Sequence, residues 1–412
     1  MDSQTLSPTL EVFRTLHRLK ELPRQGYVYF GFKRDETDAV AEHSFMVSWI
    51  AYTLAKHLEL PEEEVAKVVL MGLIHDWGEA VTGDLSYRVK SQELVRTEKR
   101  AFECLVNRLQ SRETLEEIWG EYDEHCSRAS AIVKCADALD AWIQGLVTPS
   151  TWWPAWEDYN QRTFDRLAKT DGQLAEQFRR MSAIAKDPNV QIWLPEAKAN
   201  DAELWPLVRF FKGIYSLKEL PRHGFVIFGM KRSETDTFAG HGFATASLAL
   251  LISLELLGER QLVELKNVVM TALSHDLGVA LTGDAAYDLQ GCVREVWDTM
   301  AKEAVRQLVQ GLRCSEEVGH LHGCWIEPTT RNAWIVKVAA AVDAWEMGVT
   351  TPSAWMHAWL DYSKKASEAL AGAKIDEQET LSKILAQAYS DLSTFDEVRG
   401  GRAPKIIPIR LQ

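Results

Sequence analysis

The chain has 412 residues, 46% of them hydrophobic and 25% charged, and its formal net charge is −13. This composition is that of a globular protein, and the length predicts two or three domains. The negative charge argues against broad electrostatic binding to duplex nucleic acid. A small phosphorylated substrate remains compatible with it, because a metal ion and a few local cations reverse the field inside a pocket.

The sequence also argues against a membrane or secreted protein. We expect no membrane span, because no apolar run approaches the ~18 residues that cross a bilayer. The N-terminal residues carry no basic stretch followed by an apolar core, so no secretory signal is expected. The six cysteines form no CxxC pair, which favours a reduced, cytoplasmic location over a disulfide framework.

A segment near the N-terminus returns in the second half of the chain. Residues 19–45 read LKELPRQGYVYFGFKRDETDAVAEHSF, and residues 217–243 read LKELPRHGFVIFGMKRSETDTFAGHGF, at an offset of 198. Between the adjacent His-Asp pairs, which begin at His75 and His275, the offset is 200. A slowly drifting offset indicates duplication of one unit of ~200 residues, which is too long for a solenoid repeat.

The duplication predicts two tandem domains, residues 1–190 and 207–412, joined by a linker at residues 191–206. Within each domain the apolar residues recur three and four positions apart, as in residues 44–58 and 65–77. That spacing is typical of amphipathic helices. We therefore predict an all-α fold in which two helical units pack against each other as a pseudo-dimer, like two subunits fused into one chain.

Local signals refine the elements of the first domain. Pro61 followed by three glutamates predicts the first turn of a helix. Residues 98–110 and 115–122 have the apolar spacing of two further amphipathic helices. Only GYVYFGF at 26–32 and its counterpart GFVIFGM at 224–230 look strand-like, and both are short and bordered by glycine.

Histidines and aspartates in the first domain form a candidate metal site. His43, the adjacent pair His75 and Asp76, and Asp137 each fall on a predicted helix or at its end. Imidazole and carboxylate ligands suit a first-row divalent ion such as Mn, Co, Fe, Ni or Zn. A lone helical histidine is more often a packed or surface residue. The apolar residues before Asp76, however, carry its charge into the core, which is costly unless the charge is paired or metal-bound.

Three motifs, in this order and spacing, resemble those of the HD-domain metal-dependent phosphohydrolases. They are AEHSF at 41–45, HDWGEAVTGD at 75–84 and KCADALDAW at 134–142. The similarity points in particular to the YfbR-type 5'-deoxynucleotidases and their eukaryotic relatives, and LKELPRQGYVYFGF resembles the arginine-bearing segment of that group. It covers most of residues 15–145 and again 213–348.

The resemblance implies a metal site formed by four ligands, which are His43, His75, Asp76 and Asp137. It implies that Glu79 holds or deprotonates a metal-bound water, and that Asp84 protonates the leaving ester oxygen, a role that requires a raised pKa. Arg24 matches the family arginine that contacts phosphate, and its planar guanidinium suits bidentate contact. Lys90 is a weaker phosphate candidate. The alternative for Arg24 and Lys90 is a solvated surface charge.

Comparison of the two repeats alone favours a different fourth ligand. Asp140 is matched by Asp343 in the second repeat, whereas Asp137 is matched by Ala340. The resemblance nevertheless selects Asp137, the aspartate of the K-x-A-D motif. Asp140 and Asp343 are then expected to cap, pair or line the interface, and a role near the pocket stays open because they lie one helical turn further on.

The second domain keeps part of the motif set. A vestigial second site would consist of His241, His275 and Asp276, because three protein ligands still suffice to bind a metal. Val279 replaces the catalytic glutamate and Ala340 replaces the fourth ligand. Our hypothesis is a degenerate, structural or regulatory domain that takes the place of the second subunit of an ancestral homodimer.

Tryptophans cluster after the last ligand helix in both domains, and they are Trp152, Trp153, Trp156, Trp355 and Trp359. Base stacking is one interpretation of these clusters. Their position after the ligand helices favours core or inter-domain packing instead.

These observations predict an enzyme, a metal-dependent phosphohydrolase that removes the 5'-phosphate from nucleoside or deoxynucleoside monophosphates. The expected partner is a small-molecule nucleotide, with no nucleic acid and no membrane, and further homo-oligomerisation is left open. One alternative is a nucleotide triphosphohydrolase, which should show more lysine and arginine around the pocket. Another is a non-enzymatic nucleotide-binding or scaffold protein. A two-iron oxygenase would need more histidines than the single His125 between the His-Asp pair and Asp137.

Overall fold

The computed structural model describes residues 6–33, 36–85, 92–187, 201–258, 261–284, 293–351, 354 and 356–390. In the first half the α-helices are α1 Leu6–His17, α2 Val40–His57, α3 Glu62–Ile74, α4 Glu79–Thr82, α5 Gln92–Val106, α6 Glu113–Asp123, α7 Arg128–Val147, α8 Trp153–Thr170 and α9 Gly172–Lys186. In the second half they are α10 Trp205–Glu219, α11 Phe238–Leu257, α12 Leu262–Ser274, α13 Val279–Thr282, α14 Arg294–Leu308, α15 Ser315–Ile326, α16 Arg331–Thr350, α17 Met356–Ala371 and α18 Gln378–Ser390. No strand occurs in these ranges, so the all-α prediction is confirmed.

Local signals in the sequence predict where several helices lie, although the predicted ends differ by a few residues from those observed. α3 follows Pro61 and carries Glu62, Glu63 and Glu64 in its first turn, where the positive end of the helix dipole favours negative charge. The helices predicted around residues 98–110 and 115–122 are α5 and α6.

The strand interpretation of the two glycine-bordered segments is wrong. Gln25–Phe30 and His223–Phe228 form 3-10 turns. The apolar rings of the first segment pack on α8 instead of pairing in a sheet: the Phe30 ring lies 4.7 Å from that of Trp156. Gly31, with a φ of +88°, then turns the chain in a conformation that disfavours residues with a side chain.

Each half is built on three helices that meet side by side. In the first half α2, α3 and α7 pack together, and in the second half α11, α12 and α16 do the same. The two halves also contact each other through α2 against α11 and α3 against α12. The apolar core is continuous across this contact.

The first helix of each half lies on the other half. α1 packs against α11, and α10 packs against α2. The segments that follow these helices, Arg18–Lys20 after α1 and the end of α10, therefore reach the opposite half of the molecule.

One helix corrects the expectation that no segment has the length and apolarity of a membrane span. By length and composition alone, α11 could cross a membrane, since its most apolar 18 residues have a mean hydropathy of 1.4. However, 83% of this segment is buried inside the protein, against α1, α2, α12 and α16. A helix that is apolar all round is also what a core position produces.

The tryptophan clusters contribute to the core only in part. Trp156 is 1% exposed and Trp359 is fully buried, as the packing interpretation predicts. Trp152 is 60% exposed and Trp153 37% exposed, so packing does not account for the whole cluster. The side chain of Trp355 lies outside the described residues, as do positions 191–200 of the predicted linker.

Candidate metal centre

Four candidate ligand side chains lie near one another in the first half, and three helices bring them there. α2 supplies His43, the end of α3 supplies His75 and Asp76, and α7 supplies Asp137. The Nε2 atoms of His43 and His75 are 3.4 Å apart, and His75 Nε2 is 3.2 Å from Asp76 Oδ2. His43 Nε2 is 3.4 Å from Asp137 Oδ1. With metal–ligand bonds of ~2.1 Å, ligands around one ion lie roughly 3.0–3.4 Å apart. The donor atoms of His43, His75 and Asp76 lie within 4.8 Å of one another, so these three could hold one ion, with Asp137 beside His43.

Hydrogen bonds orient both imidazoles toward the shared point. His75 Nδ1 lies 2.8 Å from the carbonyl oxygen of Gly72, so the ring donates there and leaves the lone pair of Nε2 for a metal. His43 Nδ1 lies 2.6 Å from Asp140 Oδ2, which has the same consequence. A carboxylate or carbonyl behind the ligand histidine fixes its tautomer and raises its basicity.

The charges of the group favour a cation. Burial and the nearby Arg24 lower the pKa of His43, but hydrogen bonds to Asp137 and Asp140 outweigh them and raise it to about 9. Burial raises the pKa of Asp76, yet the adjacent His75 holds it below the usual aspartate value. The carboxylates around His43 thus stabilise a positive charge, which a divalent ion would supply in place of the imidazole proton, and the donor set fits a first-row ion.

Glu79 and Asp84 border this group. After α3 the chain makes one turn and begins α4 at Glu79, whose backbone N–H donates to the carbonyl of Asp76 at 3.0 Å. Gly83 follows α4 with a φ of +76°, which a residue without a side chain adopts freely. Asp84 Oδ2 then accepts a hydrogen bond from the backbone N–H of Gly26 at 3.2 Å, so it ties α4 to the segment that carries Arg24.

Arg24 lies at the metal centre and not in solvent, since its side chain is only 16% exposed. Its Nη2 is 3.7 Å from Asp137 Oδ1, and its guanidinium carbon is 4.5 Å from the Tyr27 ring centre. The surface-charge alternative is therefore wrong for Arg24. Lys90 lies outside the described residues, so its role stays a prediction.

Two residues, Asp140 and Lys218, support the site, and the pairing of Asp140 with His43 is one of the roles that the sequence predicts for it. Asp140 is fully buried behind His43, and Lys218 of α10 donates to Asp140 Oδ1 at 3.0 Å. The match of Asp140 with Asp343 in the two repeats was a real signal, which marked the partner of the ligand histidine. The matching LKELPR segments contain the lysine as well, but the sequence does not indicate that it crosses to the other half.

The second half repeats the arrangement without its fourth member. His275 Nε2 is 3.2 Å from Asp276 Oδ2, and His241 Nε2 is 3.7 Å from the same oxygen. Ala340 stands at the position of Asp137, so one carboxylate fewer faces the imidazoles. Burial and the charge of Arg222 lower the pKa of His241 to about 4.

Comparison with known proteins identifies the fold family. The sequence profile of the HD domain matches residues 16–179 and 214–385, which together are more than half of the chain. The chain belongs to the HD-domain family. This confirms the resemblance drawn from the motifs. Both repeats of this HD-domain protein are matched separately.

Curated relatives of the HD-domain protein include nucleotidases. It is 30% identical over 139 residues to the 5'-deoxynucleotidase HDDC2 of Danio rerio, covering 33% of this chain and 66% of the relative. It is 28% identical to HDDC2 of Homo sapiens, covering 33% of this chain and 65% of the relative. It is 33% identical to the 5'-deoxynucleotidase YfbR of Escherichia coli O1:K1 / APEC, covering 32% and 70%. The HD-domain protein thus spans just under two thirds of the two HDDC2 relatives.

Among solved structures, a conserved hypothetical protein from Pyrococcus furiosus is 26% identical to the HD-domain protein. That match covers 42% of this chain and 99% of the other, with a TM-score of 0.32.

Proposed function

We propose that the first half is a metal-dependent phosphohydrolase that removes the 5'-phosphate from nucleoside or deoxynucleoside monophosphates. The observation that supports this proposal is the cluster of His43, His75 and Asp76, with Asp137 and Arg24 beside His43. Relatives that bear the name 5'-deoxynucleotidase support the substrate class.

The four ligand candidates would hold a divalent ion between α2, α3 and α7. When bound, such an ion supplies Lewis acidity, which polarises a phosphoryl oxygen and lowers the pKa of water. Arg24 binds the phosphoryl oxygens through its planar fork, since it is charged at every working pH and already lies against the group. Tyr27 supports Arg24 by stacking beneath its guanidinium.

Glu79 and Asp84 each carry out one of the two proton transfers. Glu79 follows Asp76 by one turn, so its carboxylate accepts a proton from the attacking water at the edge of the group. Asp84 donates a proton to the leaving 5'-oxygen, and its bond to Gly26 holds it near the arginine segment. Positioned acid–base groups of this kind contribute about 10²–10⁴-fold to a rate.

The second half would be a degenerate HD domain, and we propose domain limits of 1–190 and 207–412. It keeps the three candidates His241, His275 and Asp276 of the vestigial site, but Val279 offers no carboxylate to activate water. The contacts of α2 with α11 and of α3 with α12 support the proposal of a pseudo-dimer within one chain.

Product analysis tests the activity. The metal-stripped protein, resupplied with Mn²⁺ or Co²⁺, is incubated with ribo- and deoxynucleoside mono-, di- and triphosphates, and the products are separated by ion exchange. We expect nucleoside and inorganic phosphate from the monophosphates, and loss of both in an Asp76→Ala variant. Release of triphosphate or pyrophosphate would instead indicate a triphosphohydrolase. No turnover of any nucleotide would leave a binding or scaffold protein.

A further inference from the structure

A lysine of the second half is buried behind the metal centre of the first half. Lys218 belongs to the second segment matched by the HD-domain profile, and its side chain is 1% exposed. Its Nζ lies 2.5 Å from Asp38 Oδ2 and 3.0 Å from Asp140 Oδ1. The other oxygen of Asp140 holds His43, so a continuous path of polar contacts runs from the second half to a ligand candidate of the first.

The equivalent contact also occurs with the two halves exchanged. Lys20 belongs to the first matched segment, and its side chain is 2% exposed. Its Nζ lies 2.5 Å from Asp236 Oδ2 and 2.9 Å from Asp343 Oδ1. Asp343 in turn lies 2.5 Å from His241 Nδ1. The two lysines occupy the same place in the repeated segment, since their numbers differ by 198.

The exchange follows from the crossing of the N-terminal helices. α1 lies on α11 and α10 lies on α2, so the lysine at or just beyond the C-terminal end of each helix reaches the other half. A buried ammonium is costly unless it is paired, and each lysine has two carboxylates of the opposite half. Ion pairs as well as apolar packing thus hold each of these helices on the opposite half.

Further polar contacts from the second half converge on the first site. Thr237 Oγ1 donates to Glu42 Oε1 at 2.7 Å, next to the ligand candidate His43. Tyr215 OH donates to Gln144 Oε1 at 2.7 Å, one turn beyond Asp140 on α7. The glutamate contact has no equivalent in the exchanged direction, because the residue at its place is Gly240. The exchanged direction has contacts of its own, because His17 Nε2 lies 3.2 Å from Asp343 Oδ1 and Arg14 Nη2 lies 2.7 Å from Glu346 Oε1. Both sites therefore receive polar contacts from the opposite half.

We propose that Lys218 is a positioning residue of the candidate active site, supplied by the half that lacks a complete site of its own. It holds the carboxylate of Asp140 in place, and Asp140 fixes the tautomer and direction of His43. The second half is then a required part of the metal centre, beyond any general packing role. The predicted change in kcat rests on the proposed function, whereas the predicted change in Mn²⁺ affinity rests on metal binding alone.

The test compares Lys218→Met with a matched control, Lys20→Met, in the full chain. Both substitutions remove one buried lysine from two carboxylates, so thermal unfolding should show losses of similar size. We expect Lys218→Met to lower Mn²⁺ affinity and kcat about 10–100-fold, the range seen when a partner of a ligand histidine is lost. Lys20→Met should keep both within about two-fold of wild type. Equal effects of the two variants on metal affinity and kcat would overturn the proposal.

A double variant separates positioning from structural loss. If Lys218 acts through Asp140, then Asp140→Asn/Lys218→Met should be no slower than Asp140→Asn alone, whereas independent effects would multiply. Multiplied effects would overturn the proposal. Where Lys218→Met does not fold, Lys218→Gln keeps a hydrogen-bond donor and carries the same comparison against Lys20→Gln. If wild type hydrolyses no nucleotide, the proposed function fails, and the Mn²⁺ affinities of the two lysine variants still decide this inference.

Discussion

Arg24→Gln tests the assignment of the phosphate-binding residue. The substitution removes a cation whose side chain is 16% exposed and which lies 3.7 Å from Asp137 Oδ1. Glutamine retains a hydrogen-bond donor but loses both the charge and the planar fork. Arg24 Nη1 also lies 2.8 Å from His43 Nδ1, so metal content is measured with the rates, and an unchanged metal content assigns the effect to the substrate.

The size of the effect follows from the contacts that Arg24 can make. A hydrogen bond to a charged group contributes about 1.5–3 kcal/mol, and a fork that grips two phosphoryl oxygens makes two of them. Because the pair is partly solvated, we take about 3–4 kcal/mol in all, which corresponds to a fall in kcat/KM of about 10²–10³-fold. Stability should drop as well, since Asp137 and Asp140 lose a neighbouring cation.

The fall in kcat/KM is measured from initial rates with a deoxynucleoside 5'-monophosphate, and the metal content is measured alongside. The matched control is Arg222→Gln, which removes the equivalent arginine 3.4 Å from Asp343 in the second half and should leave kcat/KM unchanged. An Arg24→Gln enzyme within three-fold of wild type would refute phosphate binding by Arg24. The residue would then serve to pack on Tyr27 and to neutralise buried carboxylates.

Three further outcomes are expected. The protein should bind about one equivalent of Mn²⁺ per chain, and His275→Ala/Asp276→Ala should leave this count unchanged, because Ala340 in place of Asp137 leaves the second group one carboxylate short and its metal affinity lower. A fall from two equivalents to one by inductively coupled plasma spectrometry would show that the second site is filled. Glu79→Gln should lower kcat by about 10²–10⁴-fold while metal content stays constant, and joint loss of metal would make Glu79 a ligand instead. Gly145→Ala should lower the midpoint of thermal unfolding, since its Cβ would lie 1.9 Å from Trp156 Nε1. Such an overlap costs about 1–3 kcal/mol or more. An unchanged midpoint would mean that the indole moves aside freely.

Sequence patterns predicted the helices well because their signals are local. Apolar residues three and four apart, with Pro61 before the glutamates, sufficed for α2 and α3. The segment at 26–32 failed because its apolar rings are buried by α8, far along the chain, and not by an adjacent strand. Seven residues of mixed aromatic and branched type fit a strand and a buried 3-10 turn equally well.

The candidate site was predictable where the motif letters are specific. His43, His75, Asp76 and Asp137 do meet in space, although their roles stay predictions. The partner of His43 was visible as Asp140 in the repeat comparison. The contribution of Lys218 was not visible, because it depends on which half α10 lies against, and no local pattern encodes that choice.

The crossed helices make position along the chain a poor guide to the consequence of a substitution. A change at residue 218 would be assigned by its number to the half that lacks a complete site, yet its effect would fall on the other half. A saturation scan of Mn²⁺ affinity should therefore show that substitution of Lys218 lowers the affinity more than substitution of its buried apolar neighbours on α10. Substitution of Lys20 should have no such effect, although Lys20 is equally buried. The difference between the two lysines in the scan would thus show that the two sites are not equivalent.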